Sequence, residues 1–135
     1  DTFTENPVLG NITTFGGHPV CCAAGMAAMK ALLPARAGTD GEEGWIDTVQ
    51  QKEELFRSLL VHPKIKAVRS FGLWMAIEFN SFETNKKVID TCIAAGVLTD
   101  WFLFAPQCLR ISPPLIISEE EIRKACATIL KACDL

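Results

Sequence analysis

A strand-turn-strand pattern runs through the stretch Val68-Arg69-Ser70-Phe71-Gly72-Leu73-Trp74-Met75-Ala76-Ile77-Glu78. Two strand-like segments, Ile65–Ser70 and Trp74–Phe79, are joined around Gly72. In the second segment two sets of side chains alternate, namely Trp74, Ala76 and Glu78 against Met75, Ile77 and Phe79. A period of two is typical of a strand that is buried on one face only. The sequence therefore predicts a half-buried sheet.

Helical patterns lie on both sides of this stretch. We predict helices at Trp45–Val61 and at Glu83–Ala95, the second of which ends at Gly96. A last helix begins at Ser118, whose hydroxyl can cap the first backbone N–H groups while Glu121 closes a capping box. All three helices carry an apolar side that can pack on the sheet.

An alanine-rich segment, Val20–Leu33, precedes these elements and follows Pro19, which suits the first position of a helix. Small residues cover almost its whole circumference, and a helix that is apolar all round is normally buried. We therefore predict a helix here that ends at Pro34 and can pack closely against other surfaces. Exposed, the segment would favour self-association along residues 20–33.

Two further short strands are predicted at Val97–Phe104 and Leu109–Ser112. The order is then helix, helix, strand, strand, helix, strand, strand, helix. This order predicts an α+β fold, an α/β sandwich in which a small, mostly antiparallel sheet packs against helices.

The composition is that of one ordinary globular domain. The chain has 135 residues, 49% of them hydrophobic, and a formal net charge of -3. Its basic residues are scattered, so neither a nucleic acid nor a membrane is expected as a partner. The six cysteines are not spaced as metal ligands, and we expect them to act as small hydrophobic residues in a reducing, cytoplasmic compartment. The chain begins at Asp1 rather than at a methionine, which we interpret as the start of a fragment.

Two places could bind anions. Thr13 and Thr14 stand before a Gly16-Gly17 pair and a helix start, where hydroxyl and backbone N–H groups can hold a phosphate, although a plain glycine-rich turn explains the same pattern. Arg110 lies in an apolar strand and could bind a carboxylate through two parallel hydrogen bonds, or form a structural ion pair at the surface. Both alternatives stay open from the residues alone.

Other polar residues give weaker signals. His18 and His62 are isolated in the sequence, Glu78 ends a predicted strand, and the pair Glu42-Glu43 lies in a turn-rich segment, residues 35–44. We interpret all of these as surface or structural residues, and we predict no metal site.

Three segments together carry a resemblance to a known family. They are Thr13-Thr14-Phe15-Gly16-Gly17-His18-Pro19, the strand-turn-strand stretch quoted above, and Leu109-Arg110-Ile111-Ser112-Pro113-Pro114-Leu115 with the capping box behind it. In order and spacing they resemble the C-terminal end of class III aminotransferases, the group that contains ornithine, acetylornithine and 4-aminobutyrate aminotransferases. The family usually has Asn where this chain has His18.

The resemblance implies a cofactor, pyridoxal phosphate (PLP), and a homodimer. It implies that Thr14 reaches the phosphate of PLP bound in the neighbouring subunit, with Thr13 beside it, and that Arg110 binds the α-carboxylate of an amino acid. The substrates would be an amino donor and a 2-oxo acid. The run Leu109-Arg110-Ile111-Ser112-Pro113-Pro114-Leu115 leans mildly toward the ornithine and acetylornithine branch.

The resemblance also implies a division into domains and the absence of the catalytic lysine from this chain. Residues 1–18 would be a loop from the end of the large-domain region, 19–34 an inter-domain helix, and 35–135 the C-terminal small domain of a fold-type I PLP enzyme. The family's Schiff-base lysine and its acidic partner precede this segment, and the eight lysines of the chain match neither context. We therefore expect no catalytic residue here, and no transamination by the chain alone.

A stand-alone ligand-sensing or interaction domain is the competing hypothesis, because small α+β sandwiches serve many roles. It predicts an open reading frame that starts near Asp1. The aminotransferase hypothesis predicts a gene that continues upstream into a cofactor-binding domain.

Overall fold

The computed structural model describes residues 14–32 and 44–135. The chain divides into two units, Asp1–Gly44 and Trp45–Leu135. The division implied by the resemblance, a loop at 1–18, an inter-domain helix at 19–34 and a small domain at 35–135, stays a prediction. The predicted mobile loop 35–44 lies almost wholly outside the described residues.

The first unit contains one described helix, α1 (Pro19–Leu32). Pro19 begins it as predicted, and its predicted last residue, Leu33, lies outside the described part. In the part of the chain that the structure describes, no residue of α1 is buried, whereas burial was expected of an apolar helix. The predicted self-association along this helix stays a prediction.

The second unit is a sheet with helices on one side. Its elements are α2 (Val49–Leu59), β1 (Ala67–Phe71), β2 (Trp74–Glu78), α3 (Phe82–Ala94), β3 (Asp100–Phe102), β4 (Ala105–Ile111) and α4 (Glu119–Asp134). The strands are ordered β1-β2-β4-β3, and every neighbouring pair is antiparallel. The predicted α+β class with an antiparallel sheet is therefore confirmed.

Alternate residues of the two central strands, β2 and β4, form the core with the helices. Met75, Ile77 and Leu109 are completely buried and pack against side chains of the three helices. The helical share of this core comes from Phe56, Val88, Ile89, Cys92, Ile122, Cys126 and Ile129. The period of two in the sequence thus marks a real division between a covered and an uncovered face of the sheet.

The turn between β1 and β2 is fixed by a helix residue. Gly72 has a φ of 58°, a left-handed conformation that favours glycine. The carboxylate of Glu53 on α2 accepts hydrogen bonds from the Gly72 N–H at 3.0 Å and from the Ser70 hydroxyl at 2.5 Å. A Cβ on Gly72 would lie 2.9 Å from Cγ1 of Val49, so the hairpin and α2 pack closely.

Several predicted boundaries are wrong. The helix predicted at Trp45–Val61 is confined to Val49–Leu59, because residues 45–48 form a turn and Leu60 leaves helical geometry with a ψ of 61°. The first strand starts two residues later than predicted, at Ala67, since Ile65 donates its N–H back to His62 in a turn.

The hairpin of β3 and β4 differs most from its prediction. The long strand predicted at Val97–Phe104 shrinks to three residues, because a register shift at Trp101 and Phe102 leads into the turn before Ala105. Strand β4 begins four residues earlier than predicted and contains Pro106, a residue that argues against a central strand. The buried Asn85 donates to the Pro106 carbonyl at 2.7 Å.

The capping box of the last helix is confirmed. The Ser118 hydroxyl accepts from the Glu121 N–H, and the Glu121 carboxylate accepts from the Ser118 N–H at 2.8 Å. Gly96 follows α3 with a φ of 83°, as expected of a helix stop.

Candidate functional site

The uncovered face of the sheet carries a row of charged residues. We call the side of β1–β4 that faces away from the three helices the open face. Register places Arg69, Ala76, Arg110 and Asp100 side by side on strands β1, β2, β4 and β3. Within the unit Trp45–Leu135, no described element covers this row. Two arginines thus stand on one accessible surface, separated by an alanine.

The guanidinium of Arg110 is hydrogen-bonded through one nitrogen and is otherwise accessible. Its Nη2 donates to Oδ2 of Asp100 at 3.0 Å, and its carbonyl accepts from the Thr99 hydroxyl at 2.6 Å. The side chain is 44% exposed. A guanidinium has five N–H donors, and among the described residues the guanidinium of Arg110 makes only this one hydrogen bond, to Asp100. Its remaining donors can therefore receive a carboxylate.

Arg69 spans three strands. It pairs with Glu78 on β2, and it donates from Nη2 to Sγ of Cys108 on β4 at 3.3 Å. The hydrogen bond to Glu78 raises the pKa of Arg69, and the same bond lowers the pKa of Glu78, helped by Lys66 at 3.4 Å. Both groups stay charged at neutral pH. Arg69 is thus neutralised by its partner, which leaves Arg110 as the cation with more unused donors.

A cleft opens beside Arg110 on the open face. Its volume is about 440 Å³, and both arginines, Ala76 and the β3–β4 turn line it. The two turn residues, Leu103 and Phe104, are 79% and 96% exposed. The cleft thus has a cationic part and an apolar wall.

Thr14 lies in the other unit, in the turn of residues 14–17 that leads into α1. Its side chain is exposed, and Gly17 has a φ of 76°. An exposed hydroxyl, a glycine pair and the positive end of a helix form a donor set that suits a phosphate. Thr13, the second predicted phosphate contact, lies outside the described residues.

His18, which stands where the resembled family usually has Asn, caps the first turn of α1. It stands immediately before Pro19, and its Nδ1 accepts a hydrogen bond from the Val20 N–H at 3.3 Å. An asparagine side chain at this position could accept the same bond, because both residues present a short acceptor to the first turn of a helix. The imidazole thus serves as the helix cap.

The other reactive residue types give no second site among residues 14–32 and 44–135. No group of three or more metal-ligating side chains is present there. Burial raises the pKa of the Cys92 and Cys133 thiols to about 11 and of Cys126 to about 12, so these thiols stay protonated and unreactive at neutral pH. In the same described part, no helix has the length and hydropathy to cross a bilayer.

Sequence reasoning missed the partners of both arginines. Asp100 lies opposite Arg110 only because the β3–β4 hairpin turns at residues 103–104, and the predicted strand ran through that turn. Glu78 stands diagonally from Arg69 in the first hairpin, a distance that long side chains reach. The opposite charges of Arg69 and Glu78, on the two sides of the predicted turn at Gly72, were the signal that could have indicated this pair.

Comparison with known proteins now decides the family. The family model Aminotransferase class-III matches residues 3–133, nearly the whole chain. The chain belongs to the class III aminotransferases. The resemblance to this family is therefore confirmed.

Two curated relatives illustrate this class III membership, and one solved structure shows the same fold. The chain is 33% identical to an acetylornithine aminotransferase of Haemophilus ducreyi over 113 residues, which are 83% of this chain and 26% of that protein. It is 34% identical to a putrescine aminotransferase of Pectobacterium atrosepticum over 131 residues, 94% of this chain and 26% of that protein. A solved aminotransferase of Bacillus anthracis has the same fold, with a TM-score of 0.73, 23% identity, and coverage of 98% of this chain and 32% of that one.

This class III chain spans about a quarter of the length of the curated relatives that it matches. Its eight lysines include Lys52, which donates to the Leu115 carbonyl at 2.6 Å, Lys66, which pairs with Glu78, and Lys86, which pairs with Asp90. These three therefore have structural partners.

Proposed function

We propose that this chain is the C-terminal part of a PLP-dependent class III aminotransferase that moves an amino group between an amino donor and a 2-oxo acid. The family membership supports the reaction class. When bound, PLP supplies the electron sink for amino transfer. The residues of this chain bind and orient the two anionic groups around that chemistry.

The observation that carries the proposal is the largely unused guanidinium of Arg110. Asp100 accepts a hydrogen bond from one of its nitrogens at 3.0 Å and so restrains the position of the guanidinium. The remaining donors are accessible on the open face, and a carboxylate can accept two parallel hydrogen bonds from such a fork. In the proposed role Arg110 binds the carboxylate of the amino acid and then that of the 2-oxo acid.

Thr14 has the second proposed role, which is to contact the phosphate of the cofactor. Its hydroxyl and the neighbouring backbone N–H groups would hold the phosphate of PLP in the adjacent subunit of a homodimer, with Thr13 beside it. The exposed turn before α1 supports this assignment, since the helix dipole favours a negative group at that end. A dimer in which one subunit completes the cofactor site of the other also gives α1 a surface to pack on.

The chain alone is proposed to be inactive, because the Schiff-base lysine of the family precedes the matching segment. Incubated with PLP and then borohydride, the isolated chain should give no stoichiometric adduct at one specific lysine. Its free cysteines suit a reducing compartment, which supports a cytoplasmic enzyme.

The test uses an enzyme that contains this chain together with the rest of the family's length. Thr14→Ala should raise the dissociation constant of PLP about tenfold, and Arg110→Ala should raise KM for a carboxylate substrate about tenfold to a hundredfold, as expected for a lost charge-assisted hydrogen bond. Matched controls are Thr128→Ala, a half-buried helical threonine, and Arg123→Ala, an exposed arginine paired with Glu119 at 3.6 Å.

Neither control should change either constant. Unchanged PLP binding in Thr14→Ala together with an unchanged KM in Arg110→Ala would contradict the proposal.

A further inference from the structure

We propose that the tip of the β3–β4 hairpin, formed by Leu103 and Phe104, is a specificity element that selects carboxylates with an apolar segment next to the carboxylate. The inference rests on the proposed role of Arg110. It adds which kind of carboxylate that arginine receives, and which residues make the choice.

The first observation is the position of the tip. Leu103 and Phe104 line the same 440 Å³ cleft as Arg110, and the hairpin that carries them also carries Arg110 on β4 and its partner Asp100 on β3. A carboxylate held by Arg110 can therefore extend its attached chain through the cleft toward these two side chains. One short hairpin builds both halves of the site.

The second observation is how the base of the tip is fixed. Phe102 packs against Trp74 on the open face, with ring centroids 6.3 Å apart. Trp101, one residue earlier, contacts Phe82 of α3 edge-on at 5.7 Å. Aromatic contacts of this kind contribute beyond their buried area, and both of them hold β3, the strand that leads into the tip. The exposed tip is thus presented from a rigid base.

The third observation is the exposure of two large apolar side chains at that tip. Leu103 is 79% exposed and Phe104 is 96% exposed, beside a row of charged residues. A ligand that covers such side chains gains from burying apolar surface. The floor of the cleft is Ala76, whose small side chain leaves room between the two arginines.

Charge decides the remaining chemistry of the ligand. Arg69 is already paired with Glu78, so the cleft offers its second cation in a neutralised form. The carboxylate of the ligand goes to Arg110, and the apolar walls suit a chain without a second carboxylate. The geometry thus points to a monocarboxylate with an apolar chain.

The experiment titrates the isotope-labelled 135-residue chain with acetate and with hexanoate, and follows backbone amide shifts by NMR. Each buried methylene strengthens binding by about fourfold, so partial cover of the four extra methylenes of hexanoate should lower its Kd at least about tenfold below that of acetate. Arg110→Gln should remove the response to both probes. The double variant Leu103→Ser with Phe104→Ser should bring the ratio of the two Kd values toward one.

The control variant is Phe71→Ser, because Phe71 is 89% exposed on the same sheet but does not line this cleft. It should keep the wild-type ratio of Kd values. Circular dichroism on each variant checks that the fold is retained.

The outcomes separate the two proposals. Equal Kd values for acetate and hexanoate, both dependent on Arg110, would overturn the specificity role of the tip and leave the anchoring role of Arg110 intact. Hexanoate binding that survives Arg110→Gln would also overturn the inference, and the absence of any acetate response at Arg110 would count against the proposed function itself. A tenfold preference that needs both Arg110 and the tip supports the inference.

Discussion

The two faces of one small sheet differ in what their residues do. On the face toward the helices, Met75, Ile77 and Leu109 are fully buried and apolar. On the open face, one residue away along the same strands, stand Ala76 and Arg110. Alternation along a strand lets neighbouring residues serve separate purposes, so stability and ligand binding are expected to respond to different substitutions.

The largest expected effect compares two neighbours on β4. Leu109→Ala removes a completely buried side chain and should lower the free energy of unfolding by about 2–5 kcal/mol. Arg110→Ala removes an exposed ion pair and should cost less than about 1 kcal/mol. Urea denaturation of the two variants measures both values. Similar losses at the two positions would break the division between the faces.

A smaller effect tests how the helices fix the sheet. Gly72→Ala should cost about 1–2 kcal/mol of backbone strain and more from the approach to Val49, because its new Cβ would lie 2.9 Å from Cγ1 of that residue. The matched control is Gly96→Ala, which has a similar positive φ of 83° and no atom within 4 Å of its new Cβ.

The difference between these glycine variants in urea denaturation isolates the packing of α2 on the hairpin. Equal destabilisation by Gly72→Ala and Gly96→Ala would show that backbone strain alone accounts for the cost.

The smallest effect concerns pH on the open face. The hydrogen bond from Arg69 lowers the folded-state pKa of Glu78 below its ordinary value of 4.5. The stability that this pair contributes is therefore complete above about pH 4.5 and is lost as the pH falls through the lower folded pKa. Glu78→Gln should flatten that part of the stability profile. A slope unchanged in Glu78→Gln would assign the acid sensitivity to other carboxylates.

The sequence predicts the covered face far better than the open one. Periodicity identifies Met75 and Ile77 as core residues, and the capping box at Ser118 places the last helix, because both signals act within a few residues of each other. Gly96 likewise ends its helix through its own backbone preference.

The open face depends on pairing between strands, which local patterns do not contain. Nothing near Arg110 in sequence indicates Asp100 as its partner, since the turn at residues 103–104 and the register shift decide which residues meet. Pro106 argued locally against the strand that it joins, and tertiary packing on α3 overrode that preference. The residue types alone left Thr14 and Arg110 with structural alternatives, and the resemblance to a family favoured their binding roles.

The most direct test of the account asks whether Arg110 recognises a carboxylate. Relatives named for acetylornithine and for putrescine are about equally similar to this chain, and only the first of these compounds has a carboxylate. The measurement is the ratio of kcat/KM for an α-amino acid donor to that for the amine that lacks its carboxylate, in the complete enzyme and in its Arg110→Ala variant. The account predicts that the ratio falls by about tenfold to a hundredfold in the variant, because only the amino acid loses its charge-assisted bonds. An unchanged ratio, whether both activities persist or both fall together, would contradict it.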